Sequence, residues 1–291
     1  MDFEKYSVIA DGVILVDYGP VTMTLDARRR GAPFTESAVE GAKRALEVFD
    51  DIAGSLDFIR TPLYKVRAIP EGLPPVVLKM TESVSMLGDG SFTPLAAVAG
   101  ATSDFAVSAM AGFGADYAFA NNGGDIAWYV SKGIKDFINV GMISDISLGR
   151  TTHSLKIYAF EDIRGLATSG LGGRSLTRGI ASAATALAAD SSKADAAATA
   201  IANACYCDDP AIEQCLAEEL DYGTDIRGLT VTRSVGALNK ESVEAALASG
   251  AARAEELTEK GMIAGAVLFV RGVMRIVRQR GRGNLFEVAE L

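Results

Sequence analysis

Short strand-like runs separated by turn dipeptides are the feature that most restricts how this chain can fold. Residues 6–25 are rich in β-branched and aromatic side chains, and the runs are broken at Asp11-Gly12 and at Gly19-Pro20. Dipeptides of this kind favour tight reversals of the backbone. They therefore predict an antiparallel unit in this part of the chain.

Helical and strand-like segments follow one another without a regular order. Apolar spacing predicts helices over 37–52, with Ser37 as the amino-terminal cap, within 92–113, and over 239–260. Strands are predicted at 115–130 as a hairpin, and at 136–143, 152–160, 229–235 and 262–278. Since the alternation of a doubly wound sheet is absent, the predicted fold class is α+β, with mixed and antiparallel sheets flanked by helices. No repeat or linker marks a boundary, and a single domain over 1–291 is expected.

The charge of the chain argues against a nucleic-acid partner. Its 291 residues carry a formal net charge of −9, whereas proteins that neutralise many phosphates present basic surfaces. Arginines do gather in RGVMRIVRQRGRGN at 271–284. A contact with RNA or phosphate is one interpretation of this segment, and a solvated strand edge followed by a turn is the favoured one.

The apolar segments predict a soluble cytoplasmic protein without a membrane partner. The acidic start, MDFEKYSVIADG, lacks the basic region and the long apolar run of a secretory signal. The apolar run GMIAGAVLFV at 261–270 has about half of the roughly twenty residues that cross a bilayer. It is predicted to be a core strand.

Few side chains can act as soft metal ligands or as a histidine base. Cys205, Cys207 and Cys215 share one acidic stretch but follow no zinc spacing, and three cysteines cannot form a disulfide framework. Reduced thiols are the favoured interpretation, and a redox or sulfur-carrying role is the alternative. His153, the single histidine, lies in an alternating segment, where a half-exposed strand residue is favoured over a catalytic base.

Glycine-rich turns are the first candidates for ligand binding, because motifs of the Rossmann, P-loop, zincin and hydrolase classes are absent. In NNGGDIAW, the adjacent Gly123 and Gly124 allow backbone N–H groups to approach an anion, and Asp125 offers an acceptor for a ribose or ring group. A plain hairpin tip explains the same glycines.

A second turn, ATSGLGGRSLTRG at 167–179, combines hydroxyls, glycines and guanidinium groups. Thr168, Ser169, Arg174 and Arg178 are residue types that suit a phosphate or diphosphate. This pattern is not specific to phosphate ligands when it is taken alone.

The third candidate is SKADAAATAIANA at 192–204, which sets a carboxylate and a hydroxyl among small apolar residues. Asp195 and Thr199 are four residues apart, so in a helix they lie on the same face. A sparse pair of hard oxygen ligands suits Mg²⁺, which keeps several waters. The structural alternative makes Ser192 and Asp195 a shortened capping box and bonds Thr199 back to the carbonyl of Asp195.

Taken in this order, the three segments resemble the FAD:protein FMN transferase (ApbE) family over roughly residues 90–205. The likeness is greatest to a poorly characterised branch of that superfamily. The GGD turn of the family is similar to Gly123-Gly124-Asp125, its TSG to Thr168-Ser169-Gly170, and its ADALATA helix to residues 194–200.

The resemblance implies that Asp195 and Thr199 hold Mg²⁺ beside the diphosphate of FAD, where the metal assists transfer of FMN to a threonine hydroxyl and AMP leaves. It implies that the hairpin residues Asn122 to Asp125 contact the flavin nucleotide and that the TSG segment lines the same cleft. It also implies that 179–190 is a strand leading into a helix that begins near Ser192. The HIIDP and GIAKGYAVD segments of the transferases have no counterpart here with the same His, Lys and Tyr residues.

One main hypothesis and two alternatives follow. The main hypothesis is a Mg²⁺-assisted enzyme whose small-molecule partner is a flavin, FAD or FMN, or another nucleotide. The first alternative is an accessory enzyme of sulfur or cofactor metabolism that reacts through Cys205, Cys207 or Cys215. The second is a non-catalytic nucleotide-binding protein. A homodimer is the oligomeric state expected from the sequence.

Overall fold

The computed structural model describes residues 5–134, 137–158, 160 and 162–291, which contain fifteen strands and seven α-helices. The strands are β1 (Tyr6–Ala10), β2 (Val13–Tyr18), β3 (Val21–Arg29), β4 (Ala32–Pro33), β5 (Tyr117–Asn122), β6 (Asp125–Val130), β7 (Ile138–Met142), β8 (His153–Ile157), β9 (Gly165–Ser169), β10 (Ala183–Ala188), β11 (Ile212–Leu216), β12 (Thr230–Val235), β13 (Gly265–Val270), β14 (Val273–Arg278) and β15 (Phe286–Glu290). The helices are α1 (Thr35–Ala53), α2 (Leu56–Ile59), α3 (Pro75–Ser85), α4 (Val98–Gly112), α5 (Ser191–Ala204), α6 (Ala217–Leu220) and α7 (Lys240–Glu259).

A ten-stranded sheet forms the centre of the fold. Its order is β1-β2-β3-β5-β6-β9-β10-β13-β14, and β4 pairs with β3. A three-stranded sheet has the order β15-β8-β7, and β11 pairs with β12. Strands β1 to β3 pair antiparallel, which confirms the predicted antiparallel unit. The α+β class, with antiparallel sheets flanked by helices, is also confirmed.

The two faces of the large sheet are covered differently. Residues Ala184 and Ala186 of β10 pack into a core shared with α5 and α7, whereas Ala183 and Leu187 pack into a core shared with β7, β8 and β15. This division follows from the two-residue period of a strand. Helix α5 contacts α4, α7, β9 and β10, so it occupies the centre of the helical layer.

Glycine permits the first of the predicted reversals. Gly12 has a φ of +78°, and a Cβ atom there would lie 2.9 Å from the backbone oxygen of Ala27. Its N–H donates to Oγ1 of Thr35 at 3.0 Å. The reversal at Asp11-Gly12 is therefore joined directly to the start of α1.

The predicted helices form, but one predicted cap is wrong. The cap residue of α1 is Phe34, and Ser37 is buried in the first turn. The hydroxyl of Ser37 donates to the backbone oxygen of Met110 at 2.8 Å, so it joins α1 to α4. Helix α7 forms where it was predicted, and the side chain of Asn239 accepts the N–H of Ser242 at its start.

The helix predicted within 92–113 begins with a 3₁₀ turn at Pro94–Ala97 and continues as α4. Within the described ranges, Pro94–Gly112 is one helix that is long and apolar enough to cross a membrane, judged by length and composition alone. In the fold, α4 packs against α1, α5, β5 and β6. The segment thus forms part of the helical layer.

Most predicted strands form with shorter bounds. The run 262–278 divides into β13 and β14 at Arg271 and Gly272, which both have positive φ. Strands β7 and β8 form within 136–143 and 152–160, and β12 forms within 229–235. The strand implied over 179–190 is β10, and α5 follows it. Three parts of the predictions lie outside the described residues, namely residues 1–4, 136 and 159.

Strand β14 lies at an edge of the large sheet, as the favoured interpretation of the arginine-rich segment requires. Arg271 donates to the backbone oxygens of Val235 and Gly236. Arg275 pairs with Glu244 at 2.5 Å. These arginines therefore join the strand edge to neighbouring segments.

Candidate functional site

The first turns of α4 meet the β5–β6 hairpin. The hydroxyl of Ser103 donates to the backbone oxygen of Asp125 at 2.8 Å. The side-chain amide of Asn122 donates to the backbone oxygen of Ala99 at 3.4 Å. These bonds hold the predicted hairpin, which forms as expected, against the helix.

Two glycines form the tip of that hairpin. Gly123 and Gly124 have φ angles of +67° and +108°, which favour glycine. The N–H of Gly124 bonds to Oδ1 of Asn121 at 2.9 Å, while Gly123 stays exposed. The guanidinium of Arg174 lies 3.8 to 4.0 Å from the position that a Cβ of Gly123 would take, and it donates to the backbone oxygen of Pro20. An exposed backbone segment therefore has a cation beside it.

Two carboxylates hold the start of α5. The cap is Asp190, whose side chain accepts the N–H of Lys193 at 2.9 Å. Asp104 of α4 accepts the N–H groups of Ser191 at 2.8 Å and of Ser192 at 3.0 Å. These bonds satisfy donors that a helix start leaves without partners. The interpretation of Ser192 as the cap is therefore wrong, because Asp190 takes that position.

Close backbone packing brings α4 and β9 against the same helix start. A Cβ atom on Gly100 would lie 2.2 Å from the backbone oxygen of Ser191 and 2.9 Å from the Cβ of Asp195. A Cβ atom on Gly165 would lie 2.0 Å from the backbone nitrogen of Ser191. Side chains at these positions would force the elements apart. Small residues thus allow α4, α5 and β9 to approach backbone to backbone.

Asp195 points from α5 towards α4 and the hairpin. Its carboxylate accepts the N–H of Gly100 at 3.0 Å. Burial raises the pKa of Asp195 well above its usual range, and the carboxylate of Asp125 raises it further. The N–H groups of Gly100 and Ala99 oppose this rise. Asp195 and the hairpin are therefore electrostatic neighbours.

The pKa of Asp125 is also raised at this site. Burial raises the pKa of Asp125 to about 7, although the N–H of Thr168 and the guanidinium of Arg174 both lower it. Two neighbouring carboxylates with little water cannot both be charged without compensation, so they favour a shared proton or a cation. This pair is the most strongly perturbed part of the candidate site.

Thr199 follows Asp195 by one turn of α5. Both residues are partly exposed, whereas Ala196, Ala197 and Ala198 between them are buried. The two side chains therefore reach solvent on the same face of the helix, as their spacing predicts. Among the residues that the structure describes, the Thr199 hydroxyl makes no hydrogen bond, so the bond back to the Asp195 carbonyl is not formed.

The side chains of Asp195 and Thr199 are the candidate metal ligands at this site, and both offer oxygen atoms. The described part of the chain contains no group of three or more His, Cys, Asp or Glu side chains that could hold a metal. A carboxylate and an adjacent hydroxyl nevertheless fit Mg²⁺, which takes few protein oxygens and completes its shell with water and phosphate. The donor set is thus suited to Mg²⁺ rather than to a metal that needs several protein ligands.

Strand β9 carries the TSG segment to the same place. Thr168 is exposed, and its hydroxyl lies 2.8 Å from the hydroxyl of Thr185 on β10. The backbone N–H of Thr168 lies close enough to the carboxylate of Asp125 to lower its pKa. Ser169 is half-buried and Gly170 is buried. The fold therefore brings all three candidate segments together.

Other candidate residues lie apart from this cluster. The backbone N–H of Arg178 donates to Asn203 at 2.8 Å, near the end of α5. Cys205 directly follows α5, and burial raises the pKa of its thiol to about 12, which disfavours the reactive thiolate. His153 packs on Phe269 with 4.8 Å between ring centres, which agrees with the structural interpretation of this histidine.

Sequence reasoning missed three residues of α4 that build the site. Gly100 approaches α5, Ser103 binds the hairpin and Asp104 binds the start of α5. Their positions i, i+3 and i+4 place them on one face of an otherwise apolar helix. This face of small and polar residues on an otherwise apolar helix is the sequence pattern that could have identified them.

Comparisons with known proteins identify a family and several similar proteins. A family model described as "AbpE bacteria" matches residues 7–276. The UPF0280 protein of Methanothrix thermoacetophila is 35% identical over 188 residues, which cover 62% of this chain and 75% of the relative. The UPF0280 protein of Methanosarcina acetivorans is 40% identical over 135 residues, which cover 46% of this chain and 50% of the relative. The solved structure of the Pseudomonas stutzeri flavinyl transferase ApbE, apo form, aligns with 11% identity and a TM-score of 0.48, covering 92% of this chain and 90% of that chain.

Proposed function

Because the chain belongs to the family described as "AbpE bacteria", we propose that it is a Mg²⁺-assisted, flavin- or nucleotide-binding enzyme of the ApbE-like superfamily. The observation that carries the proposal is the pair of carboxylates, Asp125 and Asp195, with raised pKa values beside an exposed glycine turn. Such perturbed groups concentrate at functional sites.

In this proposal, Asp195 and Thr199 hold the metal. When bound, Mg²⁺ neutralises the charge of a diphosphate and polarises the bond that breaks. Asp195 is positioned for this task by its bond to the N–H of Gly100, which orients the carboxylate towards α4. The raised pKa of Asp195 means that a cation and a proton compete for the same carboxylate.

The nucleotide lies against the hairpin and the end of β9. The exposed backbone of Gly123 approaches its phosphates, and Arg174 supplies positive charge at the same turn. Asp125 accepts a hydrogen bond from the ribose or ring. The proposed nucleotide-binding residues are Asn122, Gly123, Gly124, Asp125, Thr168, Ser169 and Gly170.

The reaction class is group transfer with scission of the diphosphate, of which FMN transfer with release of AMP is the specific form tested. Orientation is the main contribution of the chain, because α4 is hydrogen-bonded both to Asp195 of α5 and to the hairpin, and Thr168 of the TSG segment is held by Thr185 of β10.

The test is calorimetric titration of the full chain with FAD, FMN and ADP, each with Mg²⁺. Wild-type protein is expected to bind at least one of them, and Asp195→Asn is expected to weaken binding by about tenfold or more. Asp50→Asn is the matched control, since Asp50 is an exposed carboxylate on α1. Chromatography of the reaction mixture then measures AMP release.

Each outcome selects among the hypotheses. Absence of binding by the wild type contradicts the proposal, and equal affinities of wild type and Asp195→Asn remove the metal assignment. Binding without AMP or a covalent product identifies the non-catalytic nucleotide-binding alternative. Loss of activity after alkylation of Cys207 and Cys215, with binding intact, favours the cysteine alternative.

A further inference from the structure

A cavity of about 390 Å³ lies at the carboxy-terminal end of α5, and the proposed site does not use it. Its volume falls within the range of small-molecule sites, about 300 to 1,000 Å³. The wall residues that matter for its chemistry are Phe92, Arg178, Asn203, Ala204, Tyr206 and Gln214.

Helix α5 connects this cavity to the carboxylate pair. Asn203 follows Asp195 by two steps of four residues, and Thr199 is the intermediate step. At a rise of 1.5 Å per residue, eight residues correspond to about 12 Å along the helix axis. All three side chains are partly exposed. These three side chains therefore form a partly exposed row on α5 that leads from the carboxylate pair to the cavity wall.

The cavity wall offers free donors and acceptors. Among the described residues, the guanidinium of Arg178 has neither a hydrogen bond nor an ion pair. Oδ1 of Asn203 accepts from the backbone of Arg178 and from the hydroxyl of Thr177, which leaves its side-chain amide as a donor. Nε2 of Gln214 donates to the backbone oxygen of Arg178 at 3.2 Å, which leaves Oε1 as an acceptor.

The wall is also aromatic, and its charge is nearly balanced. Phe92 and Tyr206 supply ring surface. Asp89 and Arg253 also line the cavity, and Arg253 is already bonded to Glu256 and to the backbone oxygen of Leu87. A bare phosphate would be better served by several free cations. A planar heteroaromatic ring with hydrogen-bonding edges matches both the aromatic surface and the mixed polar groups.

We propose that this cavity binds the heteroaromatic ring of the nucleotide whose diphosphate lies at Asp195 and Thr199. The inference rests on the proposed function and adds to it a second binding region on the same helix. The shared chemistry is that of a nucleoside ring, either an adenine or an isoalloxazine. Arg178 and Gln214 bond to the ring edge, and Tyr206 contributes stacking surface.

The experiment separates the ring from the diphosphate by using ligands that contain one without the other. Adenosine and riboflavin contain a ring and no phosphate, whereas pyrophosphate with Mg²⁺ contains no ring. Each is titrated into the full-length wild type, Ala204→Leu and Arg178→Met. Ala204→Leu places a larger side chain at the cavity wall, and Arg178→Met removes a donor that has no partner within the described ranges. Ala248→Leu, on the exposed face of α7, is the matched control.

The wild type and Ala248→Leu are expected to bind adenosine or riboflavin. Ala204→Leu and Arg178→Met are expected to weaken that binding by about tenfold, the size of one lost stacking or hydrogen-bonding contact. Binding of Mg²⁺-pyrophosphate should be unchanged in both variants and lost in Asp195→Asn. Whichever ring compound responds identifies the half of the nucleotide that the cavity holds.

Two results would overturn the inference while leaving the proposed function intact. One is binding of Mg²⁺-pyrophosphate without binding of either ring compound, even at the solubility limit. The other is ring binding that both cavity variants retain at wild-type affinity. Conversely, ring binding that depends on Arg178, together with no response to Mg²⁺-pyrophosphate, would contradict the diphosphate assignment at Asp195 and not the cavity.

Discussion

Small residues lie at both ends of α5, but they have opposite consequences for the space around the helix. At the amino-terminal end, Gly100 and Gly165 allow α4 and β9 to lie directly against the backbone of Ser191. At the carboxy-terminal end, Ala204 borders a cavity of about 390 Å³ that Tyr206 also lines. Whether a cavity remains depends on what packs against the small residue. Backbone fills the space at the amino-terminal end, whereas widely spaced side chains leave it open at the carboxy-terminal end. A small residue by itself therefore indicates neither close packing nor ligand binding.

Gly100→Ala tests the tightly packed end and should have the largest effect. The added Cβ would lie 2.2 Å from the backbone oxygen of Ser191, so the helices must separate, and we expect a loss of about 3 kcal/mol or more in the free energy of unfolding. Urea denaturation measures it. Gly112→Ala in the same helix is the control, because no atom lies within 4 Å of its Cβ position. Equal stability of the two variants would show that the close approach is not rigid.

Asp104→Ala tests how the start of α5 is held. It leaves the N–H groups of Ser191 and Ser192 without their acceptor and removes the nearer of the two carboxylates that pair with Lys79, so we expect about 2 kcal/mol of destabilisation. Thermal and urea unfolding at pH 7 provide the measurement, with Asp50→Ala as the exposed control. A loss no greater than that of the control would mean that Asp190 alone fixes the helix start.

The carboxylate pair at this end makes stability depend on pH. Because the pKa of Asp125 is about 7 in the folded protein and about 4 in an unfolded chain, the folded state holds the proton more tightly. Stability should therefore fall as the pH rises from about 4 to about 7 and then level off. Asp125→Asn should be more stable than the wild type at pH 8 by about 1 to 2 kcal/mol and similar at pH 4.

Urea unfolding across this pH range, with a chelator present, measures the difference between Asp125→Asn and the wild type. The chelator is needed because bound metal would stabilise the charged pair. Parallel stability curves for the two proteins would place the titrating group elsewhere.

Cysteine substitutions at the opposite end should have the smallest effect. Cys207 and Cys215 are half-buried and lie beyond the carboxy-terminal end of α5, whereas Asp195 lies in its first turns. Cys207→Ser and Cys215→Ser should change the free energy of unfolding by no more than about 0.5 kcal/mol. Binding of Mg²⁺-ADP should change by less than about twofold. A larger loss of activity would favour the alternative in which a thiol reacts.

Local features of the fold could be predicted from the sequence. The hairpin at 115–130 and the β1–β3 unit follow from turn dipeptides, whose backbone preferences act within a few residues. The resemblance to the ApbE-like superfamily and its poorly characterised branch is confirmed by the family model and by the UPF0280 relatives. It also identified β10 as a strand, where alanine content alone suggests a helix.

Features that depend on distant parts of the chain could not be predicted. Ser37 was expected to cap its own helix, but its hydroxyl binds Met110, which is distant in sequence. The contact between Gly100 and Ser191 arises only when α4 and α5 pack together. The cavity at Ala204 is bounded by several elements, and no local pattern records the space between them.

The most direct test of the account counts the protons released when Mg²⁺-ADP binds at pH 7. Calorimetric titration in two buffers with different ionisation enthalpies gives this number. If a cation replaces a proton shared by Asp125 and Asp195, the wild type should release about one proton and Asp195→Asn should release none. Binding by both proteins with equal affinity and without proton release would contradict the central claim.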